Sequence, residues 1–241
     1  MTTPIRKTKI ICTMGPNLFE KGLIADLMKA GMNVARFNFS HGDHASHKIN
    51  HDTVCRIRDE LGLPVATLLD TKGPEVRVKS FKEGKVTLQA GQLFILTADE
   101  CEGDEHRVSV TYKNLPQDVK AGAAILIDDG LIAMECVKVE GNDIVCQVLN
   151  GGVVSNNKGV NIPNAHLSMP FISEKDRADI IFAAQNGFDF IAASFTRNAD
   201  DILQMRQILK DNGGAGVNII AKIENMEGVE NIDEIDRKRH V

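Results

Sequence analysis

The chain has 241 residues, of which 43% are hydrophobic, and a formal net charge of −5 from 28 basic and 33 acidic side chains. This balance argues against a general binder of nucleic acid or of anionic membranes, because such proteins present basic surfaces. Trp is absent and aromatic residues make up only 5% of the chain, so few side chains are suited to stacking on bases.

The five cysteines are scattered without a C-x-x-C pair, which fits a reducing cytoplasm better than a disulfide-stabilised secreted protein. The apolar run after the basic N-terminus breaks at Gly15-Pro16 and is too short for a secretion signal. No stretch approaches the roughly 20 apolar residues of a membrane span. We therefore expect a cytoplasmic protein whose cysteines behave as small hydrophobic side chains.

The first part of the chain alternates short apolar runs with segments of helical period. This alternation, with short links, predicts parallel strands in an α/β fold. The helix that begins near Asp43 should bury Ile49, Val54, Ile57 and Leu61. The predicted elements are a buried strand over 9–14, a helix over 19–30 ended by a glycine, a strand over 32–40, a helix over 43–61 and a strand over 63–70.

Four histidines fall in or near the second of these helices, at spacings of three, three and four residues: His41, His44, His47 and His51. A metal site is conceivable, but no cysteine joins them and few carboxylates are near. We therefore interpret them as a polar helix face.

The pattern changes between residues 75 and about 166, where no helical period is visible. Breaks such as Gly141-Asn142 and Gly151-Gly152 are typical of hairpins and tight turns. The segment predicts an all-β module, a small barrel. Its short alternating runs cover residues 86–88, 93–97, 107–112, 124–127, 131–139 and 144–149.

The α/β pattern returns after Pro170 with a helix that begins at the capping-box-like Ser173-Glu174-Lys175-Asp176 and ends at Gly187. A strand over 188–195, a helix over 198–211 and a strand over 217–224 follow. We therefore divide the chain into 1–71, an inserted β domain over 72–167, and 168–241. Five α/β strands suit an open doubly wound sheet, but are too few to close a (β/α)8 barrel.

Polar side chains collect at the carboxyl ends of the predicted strands, where α/β enzymes place their catalytic residues. Arg36, Asn38 and Ser40 alternate with apolar residues on the second strand, and Asp70 and Thr71 end the third. Arginine grips phosphate, and oxygen donors suit hard cations. The four oxygen-bearing residues predict a monovalent-cation site, although Asp70-Thr71 also fits an ordinary turn.

Lys222 and Glu224 stand two residues apart on the last predicted strand and should share one face. A cation beside a metal-binding carboxylate suits phosphoryl transfer, and the alternative is a surface ion pair on an edge strand. Ser194 and Thr196 either bind phosphate or cap the next helix. Lys158 either reaches a nucleotide phosphate or is a solvated loop charge.

Taken together, these motifs resemble the pyruvate kinase family over residues 5–235. Each motif is weak alone, but their order and spacing are highly specific. The matching segments are residues 9–16, 33–42, 69–77, 128–130, 157–161, 173–176, 193–195 and 222–225.

The resemblance implies a partial (β/α)8 TIM barrel, represented by its first five strands, with an all-β barrel domain inserted after the third. It implies glycolytic transfer of a phosphoryl group from phosphoenolpyruvate to ADP, giving pyruvate and ATP. It also implies Mg²⁺ and K⁺ as cofactors, a cytoplasmic location, and homo-oligomers for full-length members of the family.

The family's functional residues map onto this chain by position. Arg36 and Ser194 would bind the substrate, and Lys222 would bind it and stabilise charge on the phosphoryl group and the enolate. Glu224 would be one of two acidic Mg²⁺ ligands, and Glu75 is the acid associated with K⁺ dependence. The implied K⁺ ligands are Asn38, Ser40, Asp70 and Thr71, and the implied nucleotide contacts are Asn38, His41, Arg77 and Lys158.

The resemblance fades at Asp236, where a basic tail begins, and the second Mg²⁺ carboxylate of the family is not found. We therefore expect a truncated or frameshifted product that is inactive or nearly so alone, and poorly soluble because a sheet edge is exposed. Two alternatives are a barrel lyase acting on phosphoenolpyruvate or pyruvate, and a non-catalytic fragment that binds nucleotide through its β module or does nothing.

Overall fold

The computed structural model describes residues 7–163 and 165–238, so Arg6 of the basic N-terminus and the end of the basic tail lie outside the described residues. The chain divides into two compact units. The first comprises Met1–Gly73, Phe171–Glu224 and Asn231–Val241, and the second comprises Pro74–Pro170 and Asn225–Glu230.

The strands, in chain order, are β1 (Ile11–Thr13), β2 (Val34–Asn38), β3 (Ala66–Asp70), β4 (Val76–Arg77), β5 (Lys85–Leu88), β6 (Leu93–Thr97), β7 (Arg107–Ser109), β8 (Ala124–Ile127), β9 (Ile132–Glu140), β10 (Asp143–Val148), β11 (Gly152–Ser155), β12 (Gly159–Asn161), β13 (Phe190–Ala193) and β14 (Asn218–Ala221). The helices are α1 (Pro16–Glu20), α2 (Ile24–Ala30), α3 (His44–Leu61), α4 (Leu115–Asp118), α5 (Glu174–Gln185), α6 (Ala199–Asp211), α7 (Met226–Glu230) and α8 (Ile232–Lys238).

The first unit is built on a five-stranded sheet in the order β1-β2-β3-β13-β14. Every pair in it is parallel, so the α/β prediction is confirmed. The order follows the chain without the reversal that defines a doubly wound sheet, which rules out that alternative. Because all five strands run the same way, their carboxyl ends lie along one edge and bring the ends of β2, β3 and β13 together.

The helix termini agree closely with the sequence signals. Gly31 ends α2 and Gly62 ends α3, both in the left-handed conformation, and Asp43 caps α3 through the N–H of Ser46. The capping box at the start of α5 is confirmed, with Ser173 and Asp176 bonding reciprocally. The single helix predicted over 19–30 is wrong, because Gly22 adopts φ 64° and separates α1 from α2.

Two expectations about burial are wrong. The strand predicted to be buried, β1, lies at the edge of the sheet and leaves Ile10 and Ile11 exposed. On α3, Ile49 is 67% exposed, whereas His51 is only 3% exposed and occupies the buried face. The apolar pattern did not predict that a histidine would take the buried position in place of Ile49. A neutral imidazole can do so because it packs much like an aromatic ring.

The histidines of α3 pack against phenylalanines, so the polar-face interpretation is wrong for this helix. The rings of His47 and Phe39 stack at 3.9 Å, and those of His51 and Phe188 at 4.1 Å. Burial lowers the pKa of His51 from its ordinary value of 6.5, and it lowers the pKa of His47 as well. Burial in the core of the first unit therefore favours the neutral form of both side chains.

This burial predicts a stability that falls in mild acid. A histidine whose pKa is lower in the folded state than in the unfolded state binds protons more weakly when the protein is folded. It therefore does not reduce the free energy of unfolding above the unfolded pKa, but lowers it as the pH falls from about 6.5 towards the folded pKa. We expect the free energy of unfolding, measured by urea titration, to decline between about pH 7.5 and 5.5. The decline should be smaller in H51Q and unchanged in H106Q, since His106 is exposed. An equal decline in H51Q and wild type would contradict the assignment.

The second unit contains a seven-stranded sheet in the order β4-β12-β8-β9-β10-β6-β7 and a two-stranded sheet of β11 and β5. Its core includes fully buried residues such as Phe94, Leu96 and Met134. The one-turn helix α4 was not predicted, because a single turn is too short for helical periodicity to show.

All five cysteines are free thiols. Cys136 and Cys146 lie in the core of the second unit, and burial raises the pKa of Cys146 to about 12. The expectation that cysteines act as small hydrophobic side chains is confirmed for these two. None of the described helices is both long enough and apolar enough to cross a membrane.

Candidate active site at the carboxyl ends of the parallel sheet

The site is organised around the carboxylate of Asp70, the last residue of β3, whose side chain is 3% exposed. Arg36 donates from Nε to Oδ2 at 2.8 Å and also forms an ion pair with that oxygen. Lys222 donates from Nζ to Oδ1 at 3.2 Å. The buried carboxylate of Asp70 therefore pairs with both Arg36 and Lys222, which are 34 and 152 residues away in sequence. Each of the two cations thus has a counter-charge.

The two cations remain accessible. The side chains of Arg36 and Lys222 are 30% and 31% exposed. Arg36 also donates from Nη1 to Thr13 Oγ1 at 2.7 Å, which fixes the plane of its guanidinium. Three of its five N–H donors are thus used within the site, and the others remain for a ligand.

Lys222 and Glu224 lie just beyond β14, which ends at Ala221, so the prediction that they share a face within a strand is wrong. They nevertheless meet, because Lys222 Nζ is 3.2 Å from Glu224 Oε1. The backbone of Lys222 stays beside the neighbouring chain, donating to Ala193 O at 3.0 Å and accepting from Thr196 N at 3.1 Å. The lysine is therefore held at the carboxyl edge of the sheet.

Glu224 is oriented by an unusual piece of backbone. Its Oε2 accepts the N–H of Phe195 at 2.9 Å. Phe195 has φ 57°, in the left-handed region that a bulky side chain rarely adopts. Such strain persists only where surrounding structure imposes it, and it is common at functional sites. Here the strained residue, Phe195, is the one whose N–H binds Glu224.

Ser194 links the ends of β3 and β13. It is buried, and its Oγ donates to Thr71 O at 2.7 Å and lies 3.2 Å from Asp70 Oδ1. It also accepts from Lys222 Nζ at 3.0 Å. Gly73 packs so closely on it that an added Cβ would stand 2.6 Å from Ser194 O. Ser194 therefore contacts both Asp70 and Lys222 and helps to hold them in position.

The oxygen donors proposed for a monovalent cation follow adjacent strands. Asn38 and Asp70 are paired in register across β2 and β3, and Phe39 N donates to Asp70 O at 3.0 Å. Asn38 Oδ1 accepts from Ser40 N at 3.0 Å. Thr71 is buried and donates from Oγ1 to Ala192 O at 3.1 Å. These residues share one edge of the sheet.

One other sequence assignment changes in the structure. Thr196 does not cap α6, because Asn198 does so through the N–H of Asp201, and Thr196 Oγ1 instead donates to Ala193 O. His41 is exposed, and its carbonyl oxygen lies 2.8 Å from His47 Nε2.

Arg77 and Lys158 belong to the second unit, where each has an acidic partner. Arg77 Nε lies 2.6 Å from Glu75 Oε2, and Lys158 Nζ lies 2.9 Å from Asp128 Oδ1. The two cations are neighbours across β4 and β12, because Gly159 pairs in register with Arg77. The second unit thus presents two restrained cations together.

Sequence reasoning missed Thr13 as a partner of Arg36, and it missed the contacts of Lys175 and Asp176 with the strand ends. Thr13 lies in a segment that carried the family resemblance, but no residue pattern indicates that a hydroxyl there meets an arginine on the next strand. Among the described residues, no group of three or more His, Cys, Asp or Glu side chains is arranged to hold a metal ion. Any metal held here would need neutral oxygens or ligand atoms to complete its coordination.

Comparison with known proteins gives a consistent result. The family model described as pyruvate kinase, barrel domain, matches residues 5–240, which extends past residue 235, where the sequence analysis ended the resemblance. The chain is 49% identical over 232 residues to a pyruvate kinase of Geobacillus stearothermophilus, covering 95% of this chain and 40% of that protein. It is 45% identical over 232 residues to one of Clostridium perfringens, covering 96% of this chain and 49% of that protein.

A solved structure shows the same relationship. The crystal structure of a pyruvate kinase from Cryptosporidium parvum superposes with a TM-score of 0.88 at 38% sequence identity. The match covers 97% of this chain and 49% of that one. The chain thus spans about half or less of the length of the relatives that it matches.

Proposed function

Because this chain belongs to the pyruvate kinase family, we propose that its strand-end residues serve phosphoryl transfer from phosphoenolpyruvate to ADP, giving pyruvate and ATP. The observation that carries the proposal is the convergence of Arg36 and Lys222 on buried Asp70, with Glu224 beside Lys222. The alternative of a barrel lyase gains no support from the relatives reported above, which are pyruvate kinases.

The proposal extends to the architecture. The five-stranded sheet would be the first part of a (β/α)8 barrel, and the Pro74–Pro170 segment of the second unit would be an all-β domain inserted after β3. The sequential strand order and the match to the barrel-domain model support this assignment.

Arg36 and Lys222 would bind the phosphate of phosphoenolpyruvate. Transfer from an enol phosphate needs little covalent help from the protein, and depends on positioning and on cations at the developing charge. Asp70 and Thr13 fix Arg36 before substrate arrives, so little reorganisation is left for the reaction itself. Lys222 would then stabilise negative charge on the transferring group and on the enolate oxygen.

The residues fit a magnesium ion in part. Glu224 is partly exposed, and Mg²⁺ is commonly held by one or two carboxylates together with water and substrate oxygens. Bound there, Mg²⁺ would neutralise charge on the phosphoryl oxygens. Phe195 N–H keeps one oxygen of Glu224 in place, which leaves the other for exchange between Lys222 and a cation.

The donor set at the ends of β2 and β3 fits a monovalent cation. Asn38, Ser40 and Thr71 offer neutral oxygens, and Asp70 adds one carboxylate whose charge is already shared with Arg36 and Lys222. Such a set suits a large, weakly charged ion such as K⁺ better than a divalent one. Its positive charge would add to that of Arg36 at the substrate phosphate.

Nucleotide phosphates would be bound in the second unit by Arg77 and Lys158. Glu75 and Asp128 restrain these two cations before any ligand binds, which lowers the entropic cost of binding. We also propose a cytoplasmic location, where a reducing environment keeps the free thiols intact.

The test of substrate assignment is the binding of phosphoenolpyruvate, measured by isothermal titration calorimetry in Mg²⁺ and K⁺. We expect R36M to weaken binding by roughly 10- to 100-fold, because a hydrogen-bonded charge contact contributes about 1.5–3 kcal/mol. R56M is the matched control, since Arg56 forms an exposed ion pair with Glu60 on α3. Failure of the folded wild-type chain to bind phosphoenolpyruvate would overturn the assignment.

Turnover is a separate question. Pyruvate formation from phosphoenolpyruvate and ADP can be followed in a coupled assay. Robust turnover would show that the described site suffices for catalysis, whereas binding without turnover would still support the substrate assignment.

A further inference from the structure

The first turn of α5 touches the chain just after β2 and just after β3. Lys175 donates from Nζ to Phe39 O at 2.7 Å, across 136 residues of sequence. Asp176 accepts the N–H of Gly73 on Oδ1 at 3.1 Å, across 103 residues. Adjacent residues of one helix therefore bind the backbones of the two segments that carry the predicted cation and phosphate ligands.

Both side chains are restrained in this arrangement. Asp176 is buried, and its other oxygen accepts from Ser173 Oγ at 2.6 Å. Lys175 Nζ also donates to Asp179 Oδ2 at 2.6 Å, and His44 Nε2 lies 2.6 Å from Asp179 Oδ1. Because the Asp179 side chain is only 1% exposed, it fixes the Lys175 ammonium in a way that an exposed ion pair does not.

The Lys175 contact continues to Asp70 in one further step, and the Asp176 contact does so in two. Phe39, whose carbonyl accepts from Lys175, donates its own N–H to Asp70 O at 3.0 Å. Gly73 packs directly against Ser194, and Ser194 Oγ lies within 3.2 Å of Asp70 Oδ1. The first turn of α5 is thus coupled to the group that holds Arg36 and Lys222.

We propose that Lys175 and Asp176 are positioning residues of this site: Lys175 fixes the end of β2 through the Phe39 carbonyl, and Asp176 fixes the end of β3 through the Gly73 N–H. The proposal rests on the proposed function for what the strand ends bind. Neither residue touches the substrate in this assignment. Their role is to keep Asn38 and Ser40 in register with Asp70 and Thr71.

The test compares K175M and D176A with two controls. K48M removes another lysine that pairs with an aspartate four residues on, but on the exposed surface of α3. D176N keeps an oxygen that accepts the Gly73 N–H but has an NH₂ group in place of the oxygen that accepts from Ser173, so its behaviour should fall between those of wild type and D176A. If K175M does not fold, the double variant K175M/D179N, which also removes the buried charge, takes its place with the same expectations.

Two readouts separate positioning from general destabilisation. Hydrogen exchange should become faster at residues 39–42 in K175M and at residues 71–73 in D176A, with α6 and β13 unchanged. The dissociation constant of phosphoenolpyruvate is measured against KCl, with tetramethylammonium chloride holding the ionic strength constant. The KCl concentration for half-maximal tightening of phosphoenolpyruvate binding should rise about tenfold or more in K175M and D176A, rise less in D176N, and stay unchanged in K48M.

Unchanged exchange and unchanged KCl dependence in folded K175M and D176A would overturn the proposal. If wild type binds no phosphoenolpyruvate, the proposed function fails and the exchange readout alone decides. Faster exchange confined to the two strand ends would then support positioning, and unchanged exchange would overturn it.

Discussion

Replacement of Asp70 by asparagine should lower the free energy of unfolding by about 2–3 kcal/mol. Removing one partner of a buried ion pair typically costs about 3–5 kcal/mol, and the partial exposure of Arg36 and Lys222 reduces that figure. The amide keeps the shape of the side chain but cannot neutralise two cations, and its NH₂ group has to face one of them. Urea denaturation followed by far-UV circular dichroism measures the change.

The control for this prediction is D52N. Asp52 pairs with Lys48 on the exposed surface of α3, so its loss should change stability by less than about 0.5 kcal/mol. Equal effects of D70N and D52N would mean that Asp70 is not the electrostatic centre of the site. Phosphoenolpyruvate binding should also weaken in D70N, because Arg36 and Lys222 then repel each other without a shared anion.

Replacement of Gly73 by alanine should cost about 2–5 kcal/mol of stability. Gly73 has φ 67°, where a Cβ costs about 1–2 kcal/mol. The new Cβ would also stand 2.6 Å from Ser194 O, and overpacking of this kind adds about 1–3 kcal/mol. Because the contact is to backbone, the strain must move Ser194, which carries the bonds to Asp70 and Lys222.

Gly62 provides the matched control for G73A. It has φ 61°, nearly the same backbone conformation, but nothing lies within 4 Å of an added Cβ. G62A should therefore show the conformational cost alone, about 1–2 kcal/mol. If G73A and G62A destabilise equally, the close approach of Gly73 to Ser194 has no energetic consequence.

Local signals in the sequence predicted most elements of the first unit. The helix predicted over 198–211 is present as α6, and its periodic apolar stripe, Ile202, Met205, Ile208 and Leu209, lies in the core. The α5 capping box was also predictable, because its partners stand three residues apart. Such features depend on neighbours along the chain, and the pattern of neighbours is what a sequence displays directly.

Other parts of the site depend on contacts that no local pattern contains. The sequence indicated that Asp70 ends a strand, but not that its carboxylate bonds to Arg36 and Lys222 from two other strand ends. Lys175 and Asp176 were visible only as a helix start, since their partners Phe39 and Gly73 are more than a hundred residues away. His51 was misassigned because burial of a histidine is decided by the aromatic rings packed around it.

The saturation of Lys222 has a consequence for ligand choice. An ammonium group has three hydrogens, and here Lys222 donates to Asp70 and Ser194 and forms an ion pair with Glu224. An incoming anion can therefore bind the Lys222 ammonium only by displacing the Glu224 carboxylate from it. Under the proposed function, a doubly charged phosphate would displace Glu224 from Lys222 more easily than a single carboxylate would, so the arrangement would favour ligands of high charge density.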